Sequence, residues 1–375
     1  MTATPPSVSN KSPIKDLDDL RAYLVIAMQI EHATIPPYLT ALYSILPGTN
    51  SEAVEVIRSV AVEEMLHLTL VANVFNAIGG QMCRTLTAPG FIPSYPTYLP
   101  TGETEFQVGL RAFSPETIDT FMKIERMLEE PEEVPLVLPR SEKCLGRLPG
   151  SGDDNQSFYS IGLFYAEVIR RLFDLCQELG EDQLFCGDPK KQITPDYYYN
   201  GAGSVIVVSD LDSAIRAIRM IQEQGEGAPR GQRIYAGGSH GDHALAHYYR
   251  FQQLNLGRYY QTLIPGVVDA DLPDDPSGAE LNTDELDWSA VFPIKPDLRL
   301  ADLPEGSDVR AKALEFQQSY SRFLLELERA FDGAPEQLIP AVGSMFRLRT
   351  LAEELVRSPI PGLENVHAAP LYTLG

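Results

Sequence analysis

One helix-length segment of the sequence carries a carboxylate and an imidazole on a face that should otherwise be buried and apolar. In SVAVEEMLHLTLVANVF, Glu64 and His67 lie one helical turn apart. The residues in phase with them are all apolar, namely Val60, Val71 and Val74. A buried carboxylate without a partner is costly, so a neutralising group must lie beside it. Helical bundles hold two metal ions in their cores with such Glu-x-x-His steps and with glutamates from neighbouring helices.

Two further predicted helices supply glutamates for such a site. Glu31 shares one face of the first helix with Leu24 and Ala27, so it is also an ionisable group on an inward stripe. Glu167 lies in a long amphipathic helix and is the third candidate ligand. Its phase is less clear, because Arg170 stands where a surface ion pair would place it.

The fourth predicted helix, SDLDSAIRAIRMIQEQGEG, contains two candidate glutamates. Glu226 is in phase with Ile218, whereas Glu223 falls on the polar side, so Glu226 is the preferred ligand and Glu223 the reserve. No histidine follows Glu226 after three residues, and the chain instead resumes as a helix in HGDHALAHYYRFQQL. His247 is the preferred histidine ligand there, with His243 as the reserve.

Four separate runs match a known family in the same order. IEHATIPPYLTALYSI, EEMLHL, QEQGEG and LAHYYRF resemble the ferritin-like domain of violacein-type pigment biosynthesis, often labelled an iminophenyl-pyruvate dimer synthase domain. The resemblance covers roughly residues 16–265. It implies an all-α, ferritin-like four-helix bundle with a non-haem metal centre. Carried over residue by residue, it points to the following ligands: Glu31, Glu64, His67, Glu167, Glu226 or Glu223, and His247.

Several neighbours of these motifs are expected outside the ligand set. Glu63 and His32 adjoin in-phase residues but fall off the apolar stripes, so we expect both to be exposed. Tyrosines near the motifs are expected in the core, and one of them is a candidate radical or hydrogen-bond neighbour of the metals. These tyrosines are Tyr38, Tyr43, Tyr165, Tyr248 and Tyr249.

Charge and composition exclude several classes of protein. The formal net charge of −22 argues against nucleic-acid binding, because phosphate recognition needs a basic patch. The sequence has no apolar run of about 18 residues and no apolar leader, so we expect a cytoplasmic protein that does not bind membranes. Its four cysteines form no C-x-x-C pair, which argues against a zinc ribbon.

Proline, glycine and charge divide the chain into three predicted parts. Residues 1–15 are rich in Ser, Thr and Pro and are predicted to be disordered. Residues 16–265 form the metal-binding bundle, in which the Pro-rich segment 83–155 is a long crossover. Residues 266–375 comprise an acidic linker and a C-terminal helical hairpin, which is expected to pack on the bundle or on a second subunit.

The second helix of this hairpin is predicted over about residues 335–357. One face of it is apolar throughout and is expected to pack inward. That face consists of Ile339, Val342, Met345, Leu348 and Leu351.

The ligand types predict the chemistry. Carboxylates with two imidazoles suit Fe or Mn, and bridging carboxylates can hold two ions about 3.5–4 Å apart. We therefore expect a di-iron or Fe/Mn oxidase or oxygenase that uses O₂ or peroxide on a small aromatic or amino-acid-derived metabolite. The expected partners are this substrate, O₂, and either further copies of the chain or a biosynthetic partner enzyme. A metal-storage protein without an organic substrate and a metal-free assembly subunit stay open as alternatives.

Overall fold

The structure is a computed structural model and is predominantly helical. It describes residues 12–100, 105–126, 137–139, 156–158, 160–198, 203–225, 234–236, 243–260 and 275–375. The helices in these ranges are α1 (Leu17–Ser44), α2 (Ser51–Ala77), α3 (Pro115–Ile124), α4 (Ile161–Leu179), α5 (Glu181–Leu184), α6 (Leu211–Gln224), α7 (His247–Leu256), α8 (Asp308–Phe331) and α9 (Leu338–Val356). Two short antiparallel pairs join β1 (Val137–Pro139) to β2 (Gln156–Phe158) and β3 (Ile234–Ala236) to β4 (His243–Leu245). The predicted helical class is confirmed, with these two strand pairs as small additions.

The helices α1 and α2, of 28 and 27 residues, form the backbone of the bundle. Asp16 caps α1 by accepting a hydrogen bond from the Asp19 N–H, and α1 continues through Pro36 and Pro37 to its end. Asn50 adopts a left-handed conformation immediately before α2. Both helices are covered on more than one side, so their buried residues extend well beyond a single stripe.

Four-helix packing is completed by pairs of shorter helices. In one half of the bundle, α1 packs on α4, α4 on α6, and α6 on α2. In the other half, α1 packs on α3, α3 on α7, and α7 on α2. The third bundle position is therefore shared by α3 and α4, and the fourth by α6 and α7. Each of these positions is broken where the two halves meet.

The C-terminal helices form a hairpin that packs on the bundle. α8 and α9 pack on each other, α9 contacts α1, and α8 contacts α2. Upstream of the hairpin, the Asn50 amide binds the backbone of Asp287 and so fixes the linker to the start of α2. At the other end of the chain, residues 1–11 lie outside the described ranges, and Ile14 is already buried in the core. Within the described ranges, every helix is too short or too polar to cross a lipid bilayer.

Candidate metal centre

Five fully buried side chains converge where the broken helix positions meet. Glu31 comes from α1, Glu64 and His67 from α2, Glu125 directly follows α3, and His247 begins α7. They form two groups that share Glu64, one with Glu31 and His67 and the other with Glu125 and His247. Within each group, one potential ligand atom per residue lies within 4.8 Å of the others. We call these five residues the cluster, with Glu31 and His67 as its first half and Glu125 and His247 as its second half.

Glu64 lies between the two imidazoles. In the first half, His67 Nδ1 is 3.4 Å from Glu31 Oε2 and 3.7 Å from Glu64 Oε1. In the second half, His247 Nδ1 is 3.1 Å from Glu64 Oε1 and 3.3 Å from Glu125 Oε2. The two rings are stacked with their centroids 5.6 Å apart. One oxygen of Glu64 thus faces both halves, as a bridging ligand would.

The outer nitrogen of each imidazole is held by an acceptor. His67 Nε2 is 2.9 Å from Gln224 Oε1, and His247 Nε2 is 2.6 Å from Glu63 Oε2. Because these oxygens only accept hydrogen bonds, each Nε2 carries a proton and each Nδ1 is left to face the carboxylates. Within the described part of the chain, the buried Nδ1 of His67 has no hydrogen-bond partner. A lone pair aimed at carboxylate oxygens is repelled unless a proton or a metal ion lies between them, and the two matching sets of donors fit a pair of metal ions.

Each carboxylate of the cluster is anchored by a hydroxyl group. Glu31 Oε1 accepts a hydrogen bond from Tyr165, and Glu125 Oε1 accepts one from Tyr38. Glu64 Oε2 accepts a hydrogen bond of 3.0 Å from Thr34. In all three residues the second oxygen is the one that faces the imidazoles. The hydroxyls therefore fix the orientation of the carboxylates without occupying their inward oxygens.

The cluster has three buried carboxylates and two imidazoles, and this excess of carboxylates determines which groups hold protons. Burial and then the Glu125 carboxylate raise the pKa of Glu64 to about 7. Burial acts to lower the pKa of His247, but the charge of Glu125 and hydrogen bonds from the ring to Glu125, Glu63 and Glu64 raise it well above its usual value. Burial lowers the pKa of His67. Without a metal, protons on Glu64 and His247 therefore supply the positive charge that a metal would replace.

The prediction that Glu63 and His32 are exposed is wrong, because both are buried. Glu63 is 1% exposed and binds Arg250 Nη2 at 2.6 Å as well as His247. Burial acts to raise the pKa of Glu63, but Arg250 and then His247 outweigh it and hold the pKa at about 2. His32 is 3% exposed because α1 is also covered by the C-terminal hairpin. Phase relative to one stripe therefore does not predict exposure in helices packed on several sides.

Some of the ligands predicted from the sequence lie in the cluster and others do not. Four of them, Glu31, Glu64, His67 and His247, are brought together. Glu167, which the sequence predicts as a metal ligand, is 2% exposed but lies outside the cluster. Arg170 binds both of its carboxylate oxygens, at 2.7 and 2.8 Å.

The remaining candidates come from the broken fourth position. Glu223 is half-buried and belongs to neither metal-ligand group. Glu226 and the side chain of His243 lie outside the described residues. The residue of α6 that reaches the cluster is Gln224, which is in phase with the buried Ala217, whereas the sequence predicted that the face of Ile218 and Glu226 reaches the site.

Sequence reasoning missed Glu125 and Gln224. Glu125 continues the buried stripe of Ile118 and Phe121, so helical phase within the Pro-rich crossover carried a signal. Gln224 carried no such signal, because an amide is not a usual Fe or Mn ligand. The glycine after it is explained by the structure: a Cβ on Gly225 would lie 2.8 Å from His247 Nδ1. Glycine at this position leaves the second half of the cluster its space.

Comparison with known proteins gives the same fold. A family model described as ferritin-like matches residues 24–256, which include the whole cluster. The structure is similar to a ferritin-like protein from Caulobacter vibrioides solved at 1.95 Å, with 22% sequence identity and a TM-score of 0.58. This match covers 96% of the chain and 100% of the Caulobacter protein. No curated protein sequence matches the chain.

Proposed function

The chain belongs to the ferritin-like family, and we propose that it is a di-metal oxidoreductase that uses O₂ or peroxide to oxidise a small organic molecule. The observation that carries this proposal is the pair of buried imidazoles whose Nδ1 atoms face three carboxylates, one of them shared. A carboxylate-rich site with two imidazoles suits iron best, with manganese as the alternative.

Each half of the cluster would hold one ion. Glu31 and His67 would hold the first, Glu125 and His247 the second, and Glu64 would bridge them. Three protein ligands per ion leave coordination positions open for an oxidant or substrate, as in other non-haem oxygenase sites. When bound, two such ions can share the electrons that O₂ or peroxide reduction requires.

The surrounding residues would orient the ligands and exclude water. Tyr165, Tyr38 and Thr34 fix the three carboxylates, while Gln224 and Glu63 fix the tautomers of the imidazoles. This arrangement keeps the inward atoms ready for metals without a rearrangement of the protein. It also keeps protons on the outer nitrogens, away from the reacting centre.

We further propose that the substrate is aromatic or derived from an amino acid. The second half is bordered by aromatic rings, since Tyr38 packs on Phe121 at 4.6 Å and on Phe251 at 5.5 Å between ring centroids. These rings suit a flat apolar substrate, and the sequence runs that resemble the pigment-biosynthesis domain favour coupling of an aromatic imino acid. A cytoplasmic location, a role in secondary metabolism and a biosynthetic partner enzyme remain parts of this proposal.

Metal analysis combined with O₂ consumption tests the proposed function. The chain is stripped, loaded anaerobically with Fe(II), desalted and exposed to O₂ while the oxygen concentration is recorded. We expect about two iron ions per chain and O₂ uptake that reaches a limit without added reductant. Uptake of many more ions per chain would instead indicate storage, and absence of bound metal would indicate an assembly subunit. Glu167→Gln is the matched control, because it changes a buried carboxylate outside the cluster.

A further inference from the structure

A cavity of about 910 Å³ lies between the bundle and the C-terminal hairpin. We call it the hairpin cavity. Its walls come from α1, α2, α8 and α9, and no cluster residue lines it. On α1 it is lined by the stripe that contains His32, Pro36, Leu39 and Tyr43, so it lies on a different face of the helix from Glu31. Its volume falls within the range of roughly 300–1000 Å³ that is typical of small-molecule sites.

The wall of the hairpin cavity is apolar and incompletely packed. On α9, Val342, Met345 and Leu348 line the cavity and are only half-buried, although the sequence predicts that their face packs inward. On α8, Phe316 and Phe323 line the facing wall. Apolar atoms that border a void lose packing contacts, so an apolar occupant would restore them.

The buried end of the cavity has unsatisfied hydrogen-bonding groups. The Tyr320 hydroxyl is 2.6 Å from His32 Nε2, and the rings of Tyr320 and Tyr372 lie 5.2 Å apart. His32 Nδ1 and the Tyr372 hydroxyl are buried and have no partner among the residues that the structure describes. All three side chains line the cavity. Both atoms are closed to solvent, and a buried polar atom without a partner is unfavourable, so a side-chain rotation that let a ligand's hydrogen-bonding group reach either atom would be favoured.

Arginines gather at the exposed end of the cavity. Arg58 on α2 and Arg349 on α9 line it with about half of each side chain exposed, and Arg357 lines it as well. Each arginine is paired with a glutamate that also lines the cavity: Arg349 Nε donates to Glu353 Oε1 at 2.8 Å, Arg357 Nη2 is 3.9 Å from Glu353 Oε2, and Arg58 Nη1 is 3.9 Å from Glu55 Oε2. Three arginines against two glutamates leave one excess positive charge at this end. The whole chain has a formal charge of −22, which makes a locally positive opening unusual and complementary to an anion.

We propose that the hairpin cavity binds an amphipathic organic anion with an aromatic body. The body would lie against the apolar walls, a polar group would reach His32 and Tyr372, and the anionic group would bind Arg58 and Arg349. A small molecule is favoured over a docked protein segment, because the unsatisfied polar atoms lie at the buried end of the cavity. This inference does not depend on the metal ions.

Two fluorescent probes that differ in charge test this proposal on the full chain. The first, 1-anilinonaphthalene-8-sulfonate, carries an anion, and the second, N-phenyl-1-naphthylamine, is its neutral counterpart. Each is titrated with direct excitation of the probe, and folding of each variant is checked by circular dichroism. We expect Arg58→Gln with Arg349→Gln to weaken binding of the anionic probe by about tenfold, because a charge-assisted contact is lost. Binding of the neutral probe should be unchanged.

Val342→Trp should weaken binding of both probes, because the larger side chain fills the cavity. Two control variants lie on the same helix but do not line the cavity, and both should bind the probes normally: Ile339→Trp and Arg347→Gln. Equal binding in wild-type protein and Val342→Trp would overturn the proposal, as would an unchanged affinity for the anionic probe in the double arginine variant. A dimer that Val342→Trp dissociates would also overturn it, because a second copy of the chain would then be the occupant.

Discussion

The two halves of the cluster have similar ligands, but different kinds of helix position supply them. In each half, a tyrosine hydroxyl anchors a glutamate and an acceptor holds the outer imidazole nitrogen. The first half stands on the continuous helices α1 and α2, whereas the second is assembled from the end of α3 and the start of α7. We infer that the first half is a rigid metal site and that the second is the half that adapts to its ligands.

The two halves also differ in charge. The acceptor for His67 is the neutral amide of Gln224, but the acceptor for His247 is the Glu63 carboxylate, which also binds Arg250. As a result, the pKa of His67 is lowered by burial, whereas Glu125 and the neighbouring glutamates raise that of His247. The metal-free second half therefore binds a proton that the first half does not.

Loss of the shared carboxylate should have the largest effect. Glu64→Ala removes a ligand from both halves, so we expect bound iron to fall from about two ions per chain to nearly none. His67→Ala should remove most of the metal from the first half. Metal content by inductively coupled plasma mass spectrometry measures both effects, with Glu167→Gln as the control. Full metal occupancy in Glu64→Ala would disprove the shared-ligand arrangement.

Loss of either terminal glutamate should affect only its own half. We expect Glu31→Ala and Glu125→Ala each to retain about one ion per chain, because the other half keeps its three ligands. Electron paramagnetic resonance of Mn(II)-loaded protein measures this change, since a single ion lacks the coupling of a pair. If either variant loses both ions, the two halves do not bind their ions independently.

Acidification should remove metal from the second half first. The raised pKa of His247 means that it holds a proton at mildly acidic pH, which an ion in the second half must displace. Glu64, with a pKa of about 7, is shared and affects both halves. His67, with its lowered pKa, has no such proton. Between about pH 8 and pH 6 we expect metal affinity to fall more steeply in Glu31→Ala, which keeps the second half, than in Glu125→Ala. Equal slopes of metal affinity against pH in the two variants, measured by equilibrium dialysis, would contradict the proposed difference in protonation.

The smallest effect is expected at the acceptor of His67. Gln224→Leu leaves all metal ligands in place but removes the group that orients the ring. We expect the first half to bind its ion about tenfold more weakly, with the second half unchanged. Competition with a metal-sensitive dye in the Glu125→Ala background measures this directly. An unchanged affinity would show that the helix alone orients His67.

Continuity of the helices explains how much of this site the sequence could predict. Glu31, Glu64 and His67 lie inside uninterrupted helices, so helical phase relates them to the apolar core. Glu125 and Gln224 lie at helix ends; helical phase offered a signal for Glu125 alone, and phase cannot be carried across the segments that follow either residue. His247 was predicted from its chemistry and from the neighbouring sequence runs instead of from phase.

Glu167 shows the opposite limitation. It is as buried as a ligand and belongs to an amphipathic helix, so its pattern alone fits the metal site. Its actual partners are Arg170 and Ser12, and Ser12 is distant in sequence. The helical fold itself was predictable because apolar periodicity marks amphipathic helices such as α4, α6 and α8. The break in the fourth position was also indicated, because no histidine follows Glu226 after three residues, but the sharing of the third position by α3 and α4 was not, because it depends on how separate helices meet.

Anomalous X-ray diffraction at the iron edge from metal-loaded crystals would locate the bound ions directly. We expect two iron peaks on either side of Glu64, one about 2.0–2.2 Å from His67 Nδ1 and the other at a similar distance from His247 Nδ1. Gln224 and Glu63 should remain hydrogen-bonded to the Nε2 atoms. A single peak, coordination through Nε2, or iron bound at Glu167 instead of Glu125 would contradict this arrangement.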